Sequence, residues 1–181
     1  VSKLESLVEE FLSIVSLETD KKISTESKLD LASIINQVIS LYSPAALAKK
    51  VSLHFVSPAE NYFINGDSTR LKLLFNNLVE NAIKFNKNSG SVTLAIEEDK
   101  NNFVVSVKDT GIGISEKEIP LVFKKFHRAT DLLQYDYQGL GLGLYLSRVI
   151  AEAHGGKIWF ESKTNQGSTF FVSLPKGDSS V

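Results

Sequence analysis

The sequence predicts an α/β (α+β) fold, a two-layer sandwich in which a mixed, mainly antiparallel sheet carries helices on one face. Three patterns predict it: helical periodicity in three long segments, apolar alternation typical of strands between and after them, and two strand pairs that flank turn-forming residues. A length of 181 residues allows one compact core with an extra segment at one end.

The chain opens on an apolar stripe with alternating spacings of three and four residues. The stripe consists of Leu4, Leu7, Phe11 and Ile14. A short coiled coil and a helix packed on its own domain both have this pattern. The charged, hydroxyl-rich stretch 18–28 is typical of a linker. We therefore expect a helical stub and linker over 1–28, the main domain over 29–175 and a flexible tail over 176–181.

The elements of the main domain follow from periodicity and from helix and turn signals. Helices are predicted at Leu31–Ala48, from a cap at Asp67 or Ser68 to Phe85, and at Leu142–His154, where two glycines end the pattern. Strands are predicted at Val51–Val56, Asn61–Ile64, Ser91–Glu97, Phe103–Val107, Lys157–Glu161 and Ser168–Leu174. The fourth with the third, and the sixth with the fifth, are expected to form antiparallel hairpins.

Composition excludes several classes of protein. With 20 basic against 21 acidic side chains, no charge excess points to nucleic acid or to an anionic membrane. The chain has no cysteine and only three well-separated histidines, which disfavours a disulfide framework and a zinc site. No apolar run approaches the length needed to cross a bilayer, so we expect a soluble, cytoplasmic chain, with any membrane anchor upstream.

The second predicted helix carries Asn77, Glu80, Asn81 and Lys84 on one face, because residues three and four apart are neighbours on a helix. Carboxamides and a carboxylate offer oxygen to a hard cation such as Mg²⁺, and an ammonium attracts phosphate. A solvated polar face has the same appearance, so this helix alone leaves both interpretations open.

Two glycine-rich motifs follow. The first, DTGIGI at 109–114, comes directly after a strand; its glycines permit close approach of a flat ligand, and Asp109 can accept a hydrogen bond from an exocyclic amine. The second, GLGLGL at 139–144, precedes a helix whose free amides suit an anion. A plain turn and a flexible loop would look similar. The stretch 121–138 between them is long for a loop, as expected of a lid.

Taken together, the motifs resemble those of the histidine kinases within the gyrase, Hsp90, histidine kinase and MutL superfamily. The helix NNLVENAIKF resembles the N box, DTGIGI and GLGLGL the two glycine boxes, and VFKKFHR the F box. The stretch GGKIWFESKTNQGSTFFVSLP is similar to the closing hairpin. The resemblance covers about 29–175 and implies the Bergerat ATP-binding fold.

The resemblance also implies a role for each site residue. Asn81 would coordinate Mg²⁺, while Asn77 and Lys84 would contact phosphates. Asp109 would bind the adenine amino group beside Gly111 and Gly113, with Phe85 near the nucleotide. Arg128 would approach the γ-phosphate from the lid, with Phe123 and Phe126 anchoring the lid to the core. The remaining nucleotide contacts would be Gly139, Gly141, Leu142, Gly143, Leu144 and Thr169; Glu80 is expected to be a solvated surface residue.

The implied function is that of the ATP- and Mg²⁺-binding catalytic domain of a two-component sensor histidine kinase. Hydrolysing relatives carry a glutamate base where this chain has Asn77, and an amide cannot accept the proton from water. The γ-phosphate would pass to a histidine on a dimerisation domain outside this chain, because His54, His127 and His154 lack the family's phosphoacceptor motif. We expect His154, at a helix end, to favour a cation.

The expected partners are that dimerisation and histidine-phosphotransfer domain, which residues 1–28 would continue, and a response regulator receiver domain. The full-length protein is expected to be a homodimer. Two alternatives remain: a degenerate module that binds a partner, and an ATPase of the same fold.

Overall fold

The computed structural model describes residues 27–59, 61–128 and 140–177. Three helices lie in the described parts: α1 at Leu31–Ala48, α2 at Ser68–Lys84 and α3 at Gly143–Ala153. The strands are β1 at Ser27–Asp30, β2 at Ser52–Val56, β3 at Phe63–Gly66, β4 at Ser91–Glu98, β5 at Asn102–Asp109, β6 at Lys157–Lys163 and β7 at Gly167–Pro175. A 3₁₀ turn lies at Ile119–Leu121. The predicted N-terminal helix and C-terminal tail fall almost wholly outside these residues, so the domain limits stay predictions.

The main sheet has five strands in the order β2-β4-β5-β7-β6. Only β2 and β4 run parallel; the other three pairs are antiparallel. A separate two-stranded sheet joins β1 to β3. The mixed, mainly antiparallel sheet predicted from the sequence is therefore confirmed, together with both of its hairpins.

The three helices cover one face of this sheet. Burial alternates along β4 and β5, which is the pattern of a sheet with one face in the core. Helix α2 lies between its neighbours, packing against both α1 and α3. Its inward stripe contains Leu71, Leu74, Phe75, Leu78 and Val79, all at most 1% exposed. This apolar stripe fixes the opposite, polar face of α2 toward the second glycine motif.

Aspartates cap two of the helices. Asp30 accepts hydrogen bonds from the amides of Ala32 and Ser33, and Asp67 accepts from Thr69 and Arg70. Both therefore satisfy amides that have no partner within the helix. Of the two caps that the sequence allowed for α2, the structure selects Asp67.

Helix α1 is long and apolar enough to cross a membrane by length and composition alone. The prediction that no apolar run approaches this length was therefore wrong. Core helices of globular proteins meet the same criteria, and α1 buries Leu31, Ile34, Ile35 and Val38 against the rest of the domain. Other predicted limits differ by one or two residues; the largest shift moves the second predicted strand, Asn61–Ile64, by two residues to Phe63–Gly66.

Candidate functional site

The polar face of α2 contacts the second glycine motif directly. Asn77 Nδ2 donates a hydrogen bond to the carbonyl oxygen of Gly143, at 3.2 Å, in the first turn of α3. Asn81 and Lys84 follow one and two turns further along α2, and both are partly buried. The structure thus places Asn77, one of the two predicted amides, against the predicted phosphate loop. Glu80 is exposed, as expected; burial and the neighbouring Glu80 charge raise the pKa of Tyr42 on α1 to about 12.

The C-terminal end of α2 contacts the first glycine motif. The carbonyl oxygen of Phe85 accepts a hydrogen bond from the amide of Ile112 at 3.1 Å. A Cβ atom at Gly111 would lie 2.3 Å from that same oxygen, closer than any side chain permits. Glycine is required at 111 because the backbone of Phe85, the residue directly after α2, occupies the space.

Asp109 lies between this motif and the closing hairpin, and it is 8% exposed. Burial raises the pKa of its carboxyl above the usual value, while hydrogen bonds from the Gly111 and Ser168 amides oppose that rise. The bond from the Gly111 amide to Oδ1 is 2.8 Å long. A buried carboxylate with few partners is a strong acceptor for an amine, because the low local dielectric strengthens each hydrogen bond.

The hairpin β6–β7 clamps the rest of the first motif. Ile114 N–H donates to Ser162 Oγ at 2.8 Å, and Asn165 N–H donates to the carbonyl of Ile112 at 2.6 Å. Gly113 has a φ of +68°, and a Cβ there would lie 2.2 Å from the carbonyl oxygen of Lys163. The close approach that requires glycine at 113 is therefore to the hairpin; its predicted contact with adenine stays a prediction.

The second motif is built differently. Leu142 is fully buried at the start of α3 and gives the helix no side-chain cap. Free amides and the positive end of the helix dipole at such a start attract anions. Gly143 and Leu144 form the first turn of α3 and are partly buried. Gly139 lies outside the described residues.

Gly141 joins this motif to the F box. Its φ is +72°, and a Cβ would lie 2.5 Å from the carbonyl oxygen of His127 and 3.0 Å from Arg128 Cγ. The two ends of the stretch between Arg128 and Leu140 are therefore neighbours in space. Arg128 is exposed beside the second motif, where the sequence predicted a phosphate contact.

The two F-box phenylalanines differ. Phe123 packs edge-on against Phe160 and Phe170, with ring centroids 5.7 and 6.4 Å apart, and so anchors the F box to the sheet as expected. Phe126 is 61% exposed with a φ of +59°. Its predicted role as a second anchor was wrong, because this left-handed backbone leaves the side chain exposed.

A buried polar network beneath the first motif was missed. Asn86 Nδ2 donates to the carbonyl of Ser91 at 3.0 Å, and its Oδ1 accepts from Thr110 Oγ1 at 3.2 Å. Thr110 Oγ1 in turn accepts from Ser91 N–H at 2.9 Å. Asn86 lies just beyond the C-terminal cap of α2 in sequence, and only the adjacency of residues 86, 91 and 110 in space reveals the network.

His154 also departs from expectation. Its Nδ1 hydrogen bonds to the carbonyl of Ile150 at 2.8 Å, and its Nε2 accepts from Asp67 N–H at 3.0 Å. These two bonds require the neutral imidazole, and burial lowers its pKa further. The prediction of a cation here was wrong, because the ring is 7% exposed and bridges the start of α2 to the end of α3.

The donor chemistry of the site fits Mg²⁺ bound together with phosphates. Carboxamide oxygens such as Asn81 Oδ1 are hard ligands. Within the described residues no group of three His, Cys, Asp or Glu side chains is placed to hold a metal ion. A magnesium ion at Asn81 would therefore take most of its ligands from phosphate and water, which is its usual state in nucleotide sites.

Comparison with known proteins supports the same interpretation of the fold. Residues 66–178 match the model of the histidine kinase-, DNA gyrase B- and HSP90-like ATPase family. The chain is 33% identical over 176 residues to the sensor protein GacS of Pseudomonas syringae pv. syringae, covering 94% of this chain and 19% of GacS. It spans between 11% and 28% of the length of the first curated relatives it matches.

Two solved structures are similar as well. The nucleotide-free catalytic domain of the histidine kinase ThkA has a TM-score of 0.73 and 30% identity, covering 83% of this chain and 95% of that domain. ThkA in complex with the response regulator protein TrrA has a TM-score of 0.72 and 28% identity, covering 96% of this chain and 47% of that one. The family match covers more than half of the sequence, and the chain belongs to the histidine kinase-, DNA gyrase B- and HSP90-like ATPase family.

Proposed function

We propose that this chain is the catalytic domain of a sensor histidine kinase, which binds ATP and Mg²⁺ and transfers the γ-phosphoryl group to a histidine on a dimerisation domain. One observation carries the proposal: the polar face of α2 runs from the second glycine motif, touched by Asn77, to the first, touched by Phe85. These contacts lie eight residues apart, about 12 Å along the helix. An elongated nucleotide can span both.

The two ends of this span suit the two ends of ATP. Adenine would lie at the first motif, where the buried Asp109 carboxylate accepts from its amino group. The phosphates would lie at the second, near the amides of Gly143 and Leu144. Lys84 and Arg128 add positive charge for the phosphates.

Transfer needs alignment and charge neutralisation more than covalent participation by the protein. The bond between the γ-phosphorus and the bridging oxygen breaks, a phosphorus–nitrogen bond forms on the acceptor imidazole, and ADP leaves. Magnesium, when bound, neutralises charge on the phosphates. Asn77 holds the position at which a hydrolytic base would stand, and its amide already donates to Gly143, which favours transfer over hydrolysis.

The acceptor histidine is proposed to lie outside this chain. Both ring nitrogens of His154 are hydrogen bonded within the fold. His127 pairs through Nε2 with Glu118, and His54 lies on β2, at the edge of the sheet. We propose that the full-length protein is a homodimer that passes the phosphoryl group to a response regulator, in the cytoplasm, where ATP is available. The similarity to ThkA, whose complex with a response regulator is known, supports this partner.

Transfer of label from γ-labelled ATP to an added histidine-containing dimerisation domain tests the proposal. Label on that domain is the expected result. Steady phosphate release in the absence of acceptor would favour the ATPase alternative, and absence of ATP binding by calorimetry would favour the degenerate module.

The metal assignment has a separate test. Asn81→Ala should abolish the gain in ATP affinity that Mg²⁺ produces in the parent chain, as measured by calorimetry with and without the ion. Asn36→Ala, at an exposed asparagine in the middle of α1, is the matched control and should leave that gain intact. A full magnesium effect in Asn81→Ala would contradict the assignment.

A further inference from the structure

The last carbonyl groups of α2 need partners from outside the helix, as at every helix end. The amide of Phe85 donates a hydrogen bond to the carbonyl oxygen of Asn81 at 2.9 Å, and the amide of Asn86 donates to that of Ile83 at 3.2 Å. The carbonyl oxygen of Phe85 accepts a hydrogen bond from the amide of Ile112 in the first glycine motif. The carbonyl of Lys84, in the same turn, is bound by a side chain from a different helix.

That side chain belongs to Lys49, the residue directly after α1. Its Nζ donates to the carbonyl oxygen of Ile83 at 2.9 Å and also to the carbonyl oxygen of Lys84. An ammonium at the negative end of a helix dipole is stabilising. Lys49 closes two helices, because its backbone amide also caps α1 through the carbonyls of Ala45 and Ala46.

A tight turn after α1 places Lys49 here. Lys50 adopts a φ of +57°, its amide bonds the carbonyl of Leu47 at 2.9 Å, and the amide of Val51 bonds that of Ala46 at 2.8 Å. These two bonds define a Schellman motif, which reverses the chain within two residues. The buried Val51 fixes the turn against the core, so the direction of Lys49 is set by the fold.

The turn of α2 that Lys49 caps carries Lys84, whose ammonium lies 5.6 Å from the centroid of the Phe85 ring. We propose that Lys49 is a positioning residue for the phosphate-binding charge: by holding the Ile83 and Lys84 carbonyls it fixes the last turn of α2 and, with it, the ammonium of Lys84. This inference rests on the proposed ATP-binding function.

The electrostatics agree with the geometry. Partial burial lowers the pKa of Lys49, and the neighbouring Lys84 charge lowers it further. Two ammonium groups near each other repel, and this repulsion is offset at Lys49 by the two carbonyl dipoles. An anion beside Lys84 relieves the same repulsion, so phosphate binding and the Lys49 cap support each other.

Calorimetric titration of the chain with ATP and with adenosine, both in Mg²⁺, tests the proposal. Lys49→Met keeps the side-chain volume and removes the donors. We expect ATP to bind about two- to thirtyfold more weakly, the range typical of residues that act through a neighbour, with less than about a twofold change for adenosine. Lys49→Arg, which keeps charge and donors, should restore ATP affinity.

The control is Lys50→Met, which removes the same charge from the adjacent, exposed residue and should leave both affinities within about twofold. Equal weakening of ATP and adenosine in Lys49→Met would make Lys49 a purely structural residue and overturn the inference, as would unchanged ATP affinity. If Lys49→Met does not fold, Lys49→Gln is judged by the same ratio. Failure of the parent chain to bind ATP would instead overturn the proposed function.

Discussion

The two glycine motifs face the same helix but are held in opposite ways. The first, at 109–114, is fixed along its length by backbone and serine contacts from α2 and the β6–β7 hairpin. The second, at its described residues 140–144, leads into the open N-terminus of α3 and contacts α2 through Asn77. In the proposed function, the rigid motif binds the base, whose shape never changes, and the open motif binds phosphates, which are transferred and released.

Gly111 and Gly113 of the first motif are packed more closely than Gly143 of the second. A Cβ at Gly111 or Gly113 would lie within 2.3 Å of a backbone oxygen, whereas one at Gly143 would lie 3.4 Å from the Asn77 side chain, an ordinary contact. Packing makes glycine obligatory at 111 and 113, as it also does at Gly141 of the second motif, where a Cβ would lie 2.5 Å from the carbonyl oxygen of His127. At Gly143 packing does not demand it, so a requirement there would have to come from the ligand.

The largest effect on stability is expected from Gly111→Ala. The new methyl group would overlap the Phe85 carbonyl, and forced overpacking costs about 3 kcal/mol. Urea unfolding measures the loss in the free energy of unfolding.

Gly143→Ala is the matched substitution in the second motif. Its methyl group has room, and alanine is the better helix former by about 0.5–1 kcal/mol, so the free energy of unfolding should fall by no more than a few tenths of a kcal/mol or rise. Equal destabilisation by the two variants would remove the distinction between the motifs.

The next largest effect concerns binding at the first motif. Asp109→Asn replaces an acceptor by a group that presents donors to the adenine amine, and loss of a hydrogen bond to a charged group costs about 1.5–3 kcal/mol. ATP affinity measured by calorimetry should fall about tenfold to over a hundredfold. Asp99→Asn, in the exposed β4–β5 turn, should have no such effect.

The same variant should not lose stability. Because the folded-state pKa of Asp109 is raised, its ionisation opposes folding: the free energy of unfolding falls as pH rises through that pKa, and a neutral amide avoids the cost. Asp109→Asn should therefore unfold at the same or higher urea concentration at pH 7 than the parent. A marked destabilisation would mean that the carboxylate is a structural group.

A smaller effect, on stability, is expected from weakening the contact between the β6–β7 hairpin and the first glycine motif. Ser162→Ala removes the acceptor of the Ile114 amide, and an unsatisfied buried donor costs about 1–3 kcal/mol. Thermal unfolding should show the loss, and Ser52→Ala, at an exposed serine of edge strand β2, should not. An unchanged melting temperature in Ser162→Ala would show that the hairpin does not hold the first motif.

The smallest effect on stability is expected from the binding of one proton to His154, at the C-terminal end of α3. The pKa of His154 is lowered below the ordinary imidazole value of about 6.5, so the unfolded chain binds a proton there before the folded chain does. Stability from the neutral ring is complete above pH 6.5 and is lost as pH falls below it. His154→Gln should flatten the dependence of the free energy of unfolding on pH between 7.5 and about 5.5, whereas His54→Gln should retain it.

Much of the fold was predictable because its elements carry local signals. Helix α1 was predicted with its observed limits, and α2 to within a residue, because an aspartate cap and a period of 3.6 are encoded in adjacent residues. The parallel pairing of β2 with β4 and the small β1–β3 sheet were not predicted, because strand partners are distant in sequence.

The residues of the candidate site also differ in whether the sequence alone could identify them. Asp109, Asn77 and the glycines were identifiable as chemical types in a known order, whereas the Asn86–Thr110–Ser91 network, the bridging role of His154 and the cap at Lys49 were not. Each of these three depends on groups separated by 19 or more residues in sequence.

The sequence by itself determined most of the secondary structure, the residue types in each motif and the family to which the chain belongs, because periodicity, capping and residue type are local properties. Only the tertiary structure decided which backbone atoms lie against Gly111 and Gly113, which helix Lys49 caps and that His154 is neutral. Those outcomes depend on burial and on hydrogen-bond partners that folding brings together from distant parts of the chain.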